Sequence, residues 1–209
     1  MREHEYSLIG GINRAQVGRY LGLAAASISA FIVFILLGVV DLAKKFDLNA
    51  NLPPSILSLV GASAVFAALY ALFDKYIWRW PKLATLLKVP HLAGEWRCDG
   101  KSLGQDGQVT HHWVAQVIIT QTWDKFRVRL KTEQSGSNSI TAALIYDEAD
   151  GYHLIYNYRN DPKIGQLELR SHVGFSNMIF SKDQMKAEGD YVNGHGRSTF
   201  GTMVWSRIQ

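Results

Sequence analysis

YLGLAAASISAFIVFILLGVV, residues 20–40, runs for 21 positions without a charged side chain. At about 1.5 Å of rise per residue, such a stretch reaches across a hydrocarbon core of about 30 Å. Lipid offers no partner to backbone N–H and C=O groups, so a membrane-spanning helix is predicted there. A second stretch, 52–73 (LPPSILSLVGASAVFAALYALF), is also free of charge. It opens on Pro53 and Pro54, which suit a first helical turn where missing donors cost little. Tyr20, Tyr76, Trp78 and Trp80 fall where interfacial aromatics are expected. The first run is longer than the roughly 7–15 apolar residues of a leader and no small-x-small site follows it, so cleavage is not expected.

Outward from the two spans, the flanking cations predict the topology. Arg2, Arg14 and Arg19 precede the first span, and Lys75, Arg79, Lys82 and Lys88 follow the second. The intervening loop holds Lys44 and Lys45, offset by Asp41 and Asp47. The positive-inside rule then puts both termini in the cytoplasm. The resulting division is an inner segment 1–19, spans 20–40 and 52–73, an external loop 41–51, a basic aromatic linker 74–90 and a soluble domain 91–209.

Small residues recur every fourth position: Gly22, Ala26 and Ala30 in the first span, Ser63, Ala67 and Ala71 in the second. Such stripes let helix backbones approach closely, either within the hairpin or between copies of the chain. Neither span carries an ionisable residue, which disfavours transport by one copy.

Residues 1–90 hold 9 Lys and Arg against 5 Asp and Glu, while the remainder holds 13 of each. The soluble half therefore lacks the basic field that duplex nucleic acid requires. The lone Cys98 forms no internal disulfide and suits a reducing compartment.

After Pro90 the pattern turns to period-two alternation broken by turn residues. Eight strands are predicted, at 92–99, 108–122, 125–134, 139–147, 152–159, 170–181, 184–192 and 198–208. Strands of this number and spacing predict an antiparallel up-and-down barrel or a sandwich. In the third, Phe126, Val128 and Leu130 alternate with Lys125, Arg127, Arg129 and Lys131, as in a soluble sheet with one dry face. The fourth and fifth are apolar on both faces, which predicts a covered region or a contact surface.

Gly94-Glu95-Trp96 resembles the opening of lipocalin-type barrels. The resemblance implies that Trp96 plugs one end and that Arg207 packs on it, an arrangement that cation–π attraction explains.

Catalytic chemistry finds little support. His111, His112, His153, His172 and His195 share no metal-ligand spacing, and Asp147, Glu148 and Asp150 read as a solvated turn. No phosphate-cradling Gly-Lys-Ser/Thr and no nucleophile elbow are expected. No enzyme activity, cofactor or metal is expected.

Two membrane helices followed by an eight-stranded soluble barrel, with Leu92-Ala-Gly-Glu-Trp96, Gly189-Asp-Tyr191 and Arg197-Ser-Thr-Phe-Gly-Thr202, resemble the two-transmembrane β-barrel (virtual STING-like) effectors of CBASS antiphage defence. The resemblance implies an inner-membrane protein whose barrel binds a cyclic dinucleotide. Binding would drive homo-oligomerisation, membrane disruption and cell death. Such a ligand needs stacking aromatics, Arg for bidentate phosphate bonds, and hydroxyl or amide groups. Tyr156, Asn157, Tyr158 and Arg159 bring these types together, and Trp113, Arg170, Arg197, Ser198 and Thr199 are further candidates. The alternatives are a membrane-tethered lipocalin-like carrier of a lipid or other apolar molecule, and a membrane-anchored scaffold for a protein partner.

Overall fold

A computed structural model of the chain describes residues 3–48, 51–165, 170–194 and 197–208. They form two compact units: Ile12–Trp78 is helical, and the segment up to Gly11 joins Arg79 onward in a barrel. Arg2 and His195, which figured in the topology and metal readings, lie outside the described residues.

In the helical unit, the Asn13 side chain accepts a hydrogen bond from the Ala15 N–H at 2.8 Å and so starts helix α1, Arg14–Lys45. Lys44 and Lys45 lie in its last turn, where the helix dipole favours cations. Among the described residues, α1 is the helix long and apolar enough to cross a membrane. The second apolar stretch is not the single helix expected over 52–73. It forms α2, Pro54–Leu59, and α3, Ala62–Lys75, with the break at Val60 and Gly61. Glycine is a poor helix former and tolerates the change of direction. The Ser29 hydroxyl of α1 donates to the Val60 carbonyl, so that a polar group at the break gains a partner.

Helix α1 packs along α3, and its buried face includes Ala25 and Ser29. Ala26 and Ala30 are exposed, as are Ser63, Ala67 and Ala71, and a Cβ added to Gly22 would meet nothing within 4 Å. The small-residue stripes lie on the outer faces of the helical pair.

The barrel unit opens with β1, His4–Ile9, and continues with α4, Pro81–Leu87. Eight strands follow: β2 Gly94–Leu103, β3 Val109–Gln121, β4 Lys125–Lys131, β5 Ser135–Asp147, β6 Gly151–Pro162, β7 His172–Phe180, β8 Lys186–Gly194 and β9 Phe200–Arg207. Each pairs antiparallel with its chain neighbour, and β2 pairs with β9, giving the expected up-and-down order. Among the described residues the predicted count of eight is corrected to nine. Strand β1 enters the wall between β4 and β5, antiparallel to β4 and parallel to β5. Its six residues place one side chain, Tyr6, in the interior, which is too short an alternation to read as a strand. The Tyr6 ring lies 5.2 Å from Phe126 and its hydroxyl donates to the Thr122 carbonyl.

One end of the barrel is solid. Trp96, Trp123, Trp205 and Leu92 are fully buried there. Phe180 meets Trp96 edge-on at 5.6 Å, and the Trp96 indole N–H donates to the Leu92 carbonyl at 3.1 Å. Arg207 lies over the Trp96 ring at 5.2 Å and donates to the His91 and Ala93 carbonyls, beside Gly94, whose φ of 138° favours glycine. The same desolvated end, with Arg207 and Arg79 nearby, holds the His91 pKa below its usual value. Burial raises the Cys98 thiol to about 12, so it stays protonated and unreactive. The outward Lys125, Arg127 and Arg129 and the buried Phe126, Val128 and Leu130 follow the predicted alternation, whereas Lys131, the last residue of β4, borders a cavity.

Replacing Arg207 with Ala removes a stacked cation and leaves two carbonyls short of donors, so we expect a loss of about 1–3 kcal/mol. Urea unfolding followed by tryptophan fluorescence measures this, and Arg207→Lys should recover only part of it.

Candidate ligand-binding cavity

The other end of the barrel is open. The β2–β3 ladder extends to Leu103 and Val109, whereas β3–β4 pairing begins only at Gln116 and Lys131. The long hairpin therefore stands past the end of β4, and a cavity of about 940 Å3 opens beside it. That volume lies within the roughly 300–1,000 Å3 of small-molecule sites.

Alternation decides what faces inward. Tyr156, Ala115, Leu130 and Met203 form an apolar floor above the tryptophan plug. Trp113 lies flat against β2 because Gly100 stands opposite it, where any Cβ would fall on the indole. Its ring meets Tyr191 edge-on at 5.6 Å, and the Tyr191 hydroxyl shares a 2.7 Å hydrogen bond with Ser102. Gly174 gives Tyr158 the same clearance on the opposite wall. The Tyr158 hydroxyl donates to Asn193 Oδ1 at 2.7 Å, and Asn193 Nδ2 donates to Thr199 Oγ1 at 2.8 Å. This chain fixes the Asn193 amide and holds the Tyr158 ring. Burial pushes the Tyr156 and Tyr158 phenols upward, so both remain neutral donors.

Asn160 and His172 are cross-strand partners, both buried and both lining the cavity. His172 Nδ1 lies 3.0 Å from the Arg170 carbonyl, which can only accept. In the neutral ring Nδ1 therefore carries the proton and Nε2 is an acceptor. Lys101, Lys131, Lys163 and Arg197 line the cavity against Asp99 and Glu133, so cations outnumber carboxylates. The arrangement offers flat aromatic faces, cations and oriented hydrogen-bonding groups around one volume.

Of the candidates, Trp113, Tyr156, Tyr158, Arg197 and Thr199 line the cavity. Asn157 instead borders a shallow apolar depression outside the barrel, with Ile140, Val173, Phe175 and Val192. Arg159 also faces outward and pairs with Asp161 at 3.1 Å. Arg170 and Ser198 are exposed and lie outside the cavity lining. The physical reason on β6 is the period of two: Tyr156 and Tyr158 point inward, so Asn157 and Arg159 between them point outward. Extending that alternation by one step finds Asn160, which the sequence reading missed together with His172, Asn193, Ser137, Lys131 and Lys163.

The expected absence of a Gly-Lys-Ser/Thr triplet is corrected: Gly100-Lys101-Ser102 is one by letter. It lies in mid-strand, paired with Trp113, His112 and His111, so its backbone is committed to the ladder rather than to a phosphate. Among the described residues no three His, Cys, Asp or Glu side chains converge to hold a metal.

Residues 87–207 match the family model of the Cap15 cyclic dinucleotide receptor domain, and residues 15–79 match that of the Cap15 TM helices. Strand β1 precedes both matched segments. The chain is also 44% identical to CD-NTase-associated protein 15 of Yersinia aleksiciae over 209 residues, covering 100% of this chain and 99% of the relative. With the receptor barrel and the membrane segment both matched, the chain belongs to the Cap15 family and carries its cyclic dinucleotide receptor domain after its membrane helices.

Proposed function

We propose that the cavity binds a cyclic dinucleotide made in a CBASS antiphage response, and that occupancy drives several copies together until the inner membrane is breached. One observation carries the ligand reading: aromatic faces, cations and fixed polar groups converge on a single cavity. A cyclic dinucleotide presents two flat bases and two phosphates. Trp113 and Tyr158 offer faces for stacking, and Arg197, Lys131 and Lys163 offer charged donors to phosphate. Asn160 and His172 Nε2 meet the hydrogen-bonding edge of a base.

An apolar cargo would leave Asn160, His172 and Ser137 facing it without partners, at about 1–3 kcal/mol for each buried polar group left unpaired. That penalty weighs against a lipid carrier. In this reading the chain acts by binding and assembly, not by catalysis. A relative named CD-NTase-associated supports a place beside the enzyme that makes the messenger. Seven flanking cations against two in the loop support a two-span hairpin with both termini in the cytoplasm, where a dissolved messenger reaches the barrel. The outward small-residue stripes supply a surface on which helices of neighbouring copies pack.

Calorimetric titration of the detergent-solubilised chain with cyclic di-AMP, cyclic di-GMP and cyclic GMP-AMP should give a Kd below about 100 μM, roughly −5.5 kcal/mol, for at least one of them. Absence of binding across the panel would reject the reading. Arg197→Ala should weaken binding by about 10- to 100-fold, as expected for a lost charge-assisted contact. Arg159→Ala, on the outer face, should leave it within about twofold.

A double variant, Ala26→Leu with Ala67→Leu, should bind the nucleotide normally but release no trapped dye from vesicles of bacterial inner-membrane lipid. Undiminished release would show that copies assemble through some other surface.

A further inference from the structure

The wall of the barrel has two ways to close between β4 and β5. At the cavity end the strands pair directly, Arg129 with Asn138, Leu130 with Ser137 and Lys131 with Gly136. Toward the plugged end they separate, and β1 fills the seam with two pairs on β4 and four on β5. The next pair of the direct register is Val128 with Ser139. Those residues are already joined, because the Val128 N–H donates to Ser139 Oγ at 2.9 Å. The same hydroxyl is 2.6 Å from His4 Nε2 on β1. Arg127 also reaches across to Asn138 Oδ1 with two donors. Ser139 is therefore the branch point of both closures.

Strand β1 is lightly held. Tyr6 is its buried side chain, and its Glu5–Lys125 ion pair is exposed and so contributes little. It leaves the seam at Gly10, whose φ of 81° and close approach to the Tyr146 carbonyl admit only glycine. Three residues past Gly11 begins α1.

We propose that the β4–β5 seam is a strand-acceptor site whose occupant, His4–Ile9, is expelled when the cavity fills. Leu130, Lys131, Ser135 and Ser137 line the cavity on the directly paired part of these strands. A ligand drawing them inward extends their ladder past Ser139, and the wall changes from nine strands to eight, a narrower barrel. Expulsion frees the chain that enters α1 from the receptor wall. The inference rests on the cyclic dinucleotide reading, and linkage sets its sign: a ligand shifts the seam only by binding the expelled state more tightly.

The test uses the full chain in detergent with cyclic di-AMP, cyclic di-GMP and cyclic GMP-AMP. Hydrogen exchange at residues 5–9 should accelerate at least tenfold with the nucleotide that binds, while residues 125–128 stay protected. Ser7→Cys with Ala143→Cys, parallel partners on β1 and β5, pins the strand once oxidised, and should bind at least tenfold more weakly until reduced. Gly10→Ala, which strains the docked exit, should bind at least threefold more tightly. Unchanged or slower exchange at residues 5–9 with ligand bound, or a pinned chain that binds as well as the reduced one, overturns strand expulsion alone. Absence of binding by any of the three nucleotides overturns the ligand reading, and the trigger with it.

Discussion

Arg207 lies on the Trp96 ring, and that stack decides which end of the barrel is shut. A closed sheet has one interior, filled by every second residue of each strand. Trp96, Trp205, Phe180 and Leu92 are buried at one end and fill it. The guanidinium seals the end by capping the aromatic face and satisfying the His91 and Ala93 carbonyls. Beyond that plug, interior-facing residues such as Trp113, Tyr158 and Asn160 border a cavity instead. The cavity is thus a consequence of the plug: the same alternation of side chains makes core at one end and cavity lining at the other.

The cavity holds polar groups in set orientations and opens at one end of the barrel. Glycines opposite Trp113 and Tyr158 let those rings lie against the wall rather than across the lumen. The Tyr158–Asn193–Thr199 chain uses up the donors and acceptors that would otherwise rotate. The entrance exists because one hairpin is longer than its neighbouring strand, so the hydrogen-bond ladder stops early. Orientation ahead of binding reduces the ordering cost a ligand meets.

The helical part obeys a different solvent. In lipid, packing rather than hydrophobicity brings helices together, and a broken helix needs partners for its exposed carbonyls. Ser29 supplies one such partner at Val60, while the small-residue stripes point away from the hairpin's own contact. The association of a receptor barrel with membrane helices is a family property. Strand β1 lies on the far side of the membrane segment in sequence and in the receptor wall in space.

Much of this was legible in the residues. Uncharged length announced the membrane segment, period-two alternation announced eight of the nine strands, and Gly94, Trp96 and Arg207 announced the plug, because each is a local pattern enforced by lipid, by the pleat or by a single stacked pair. The cavity was legible only in its aromatic members. Asn160, His172 and Asn193 come from different strands, with Lys163 just past the end of β6, and they meet only because the ladders set their register, while Asn157 and Arg159 carry suitable chemistry on the wrong face. The break at Gly61 and the seat of β1 were hidden for the same reason. The first depends on a hydroxyl 31 residues away along the chain, and the second on a gap between strands that begin more than a hundred residues later, and no local sequence signal encodes contacts so distant.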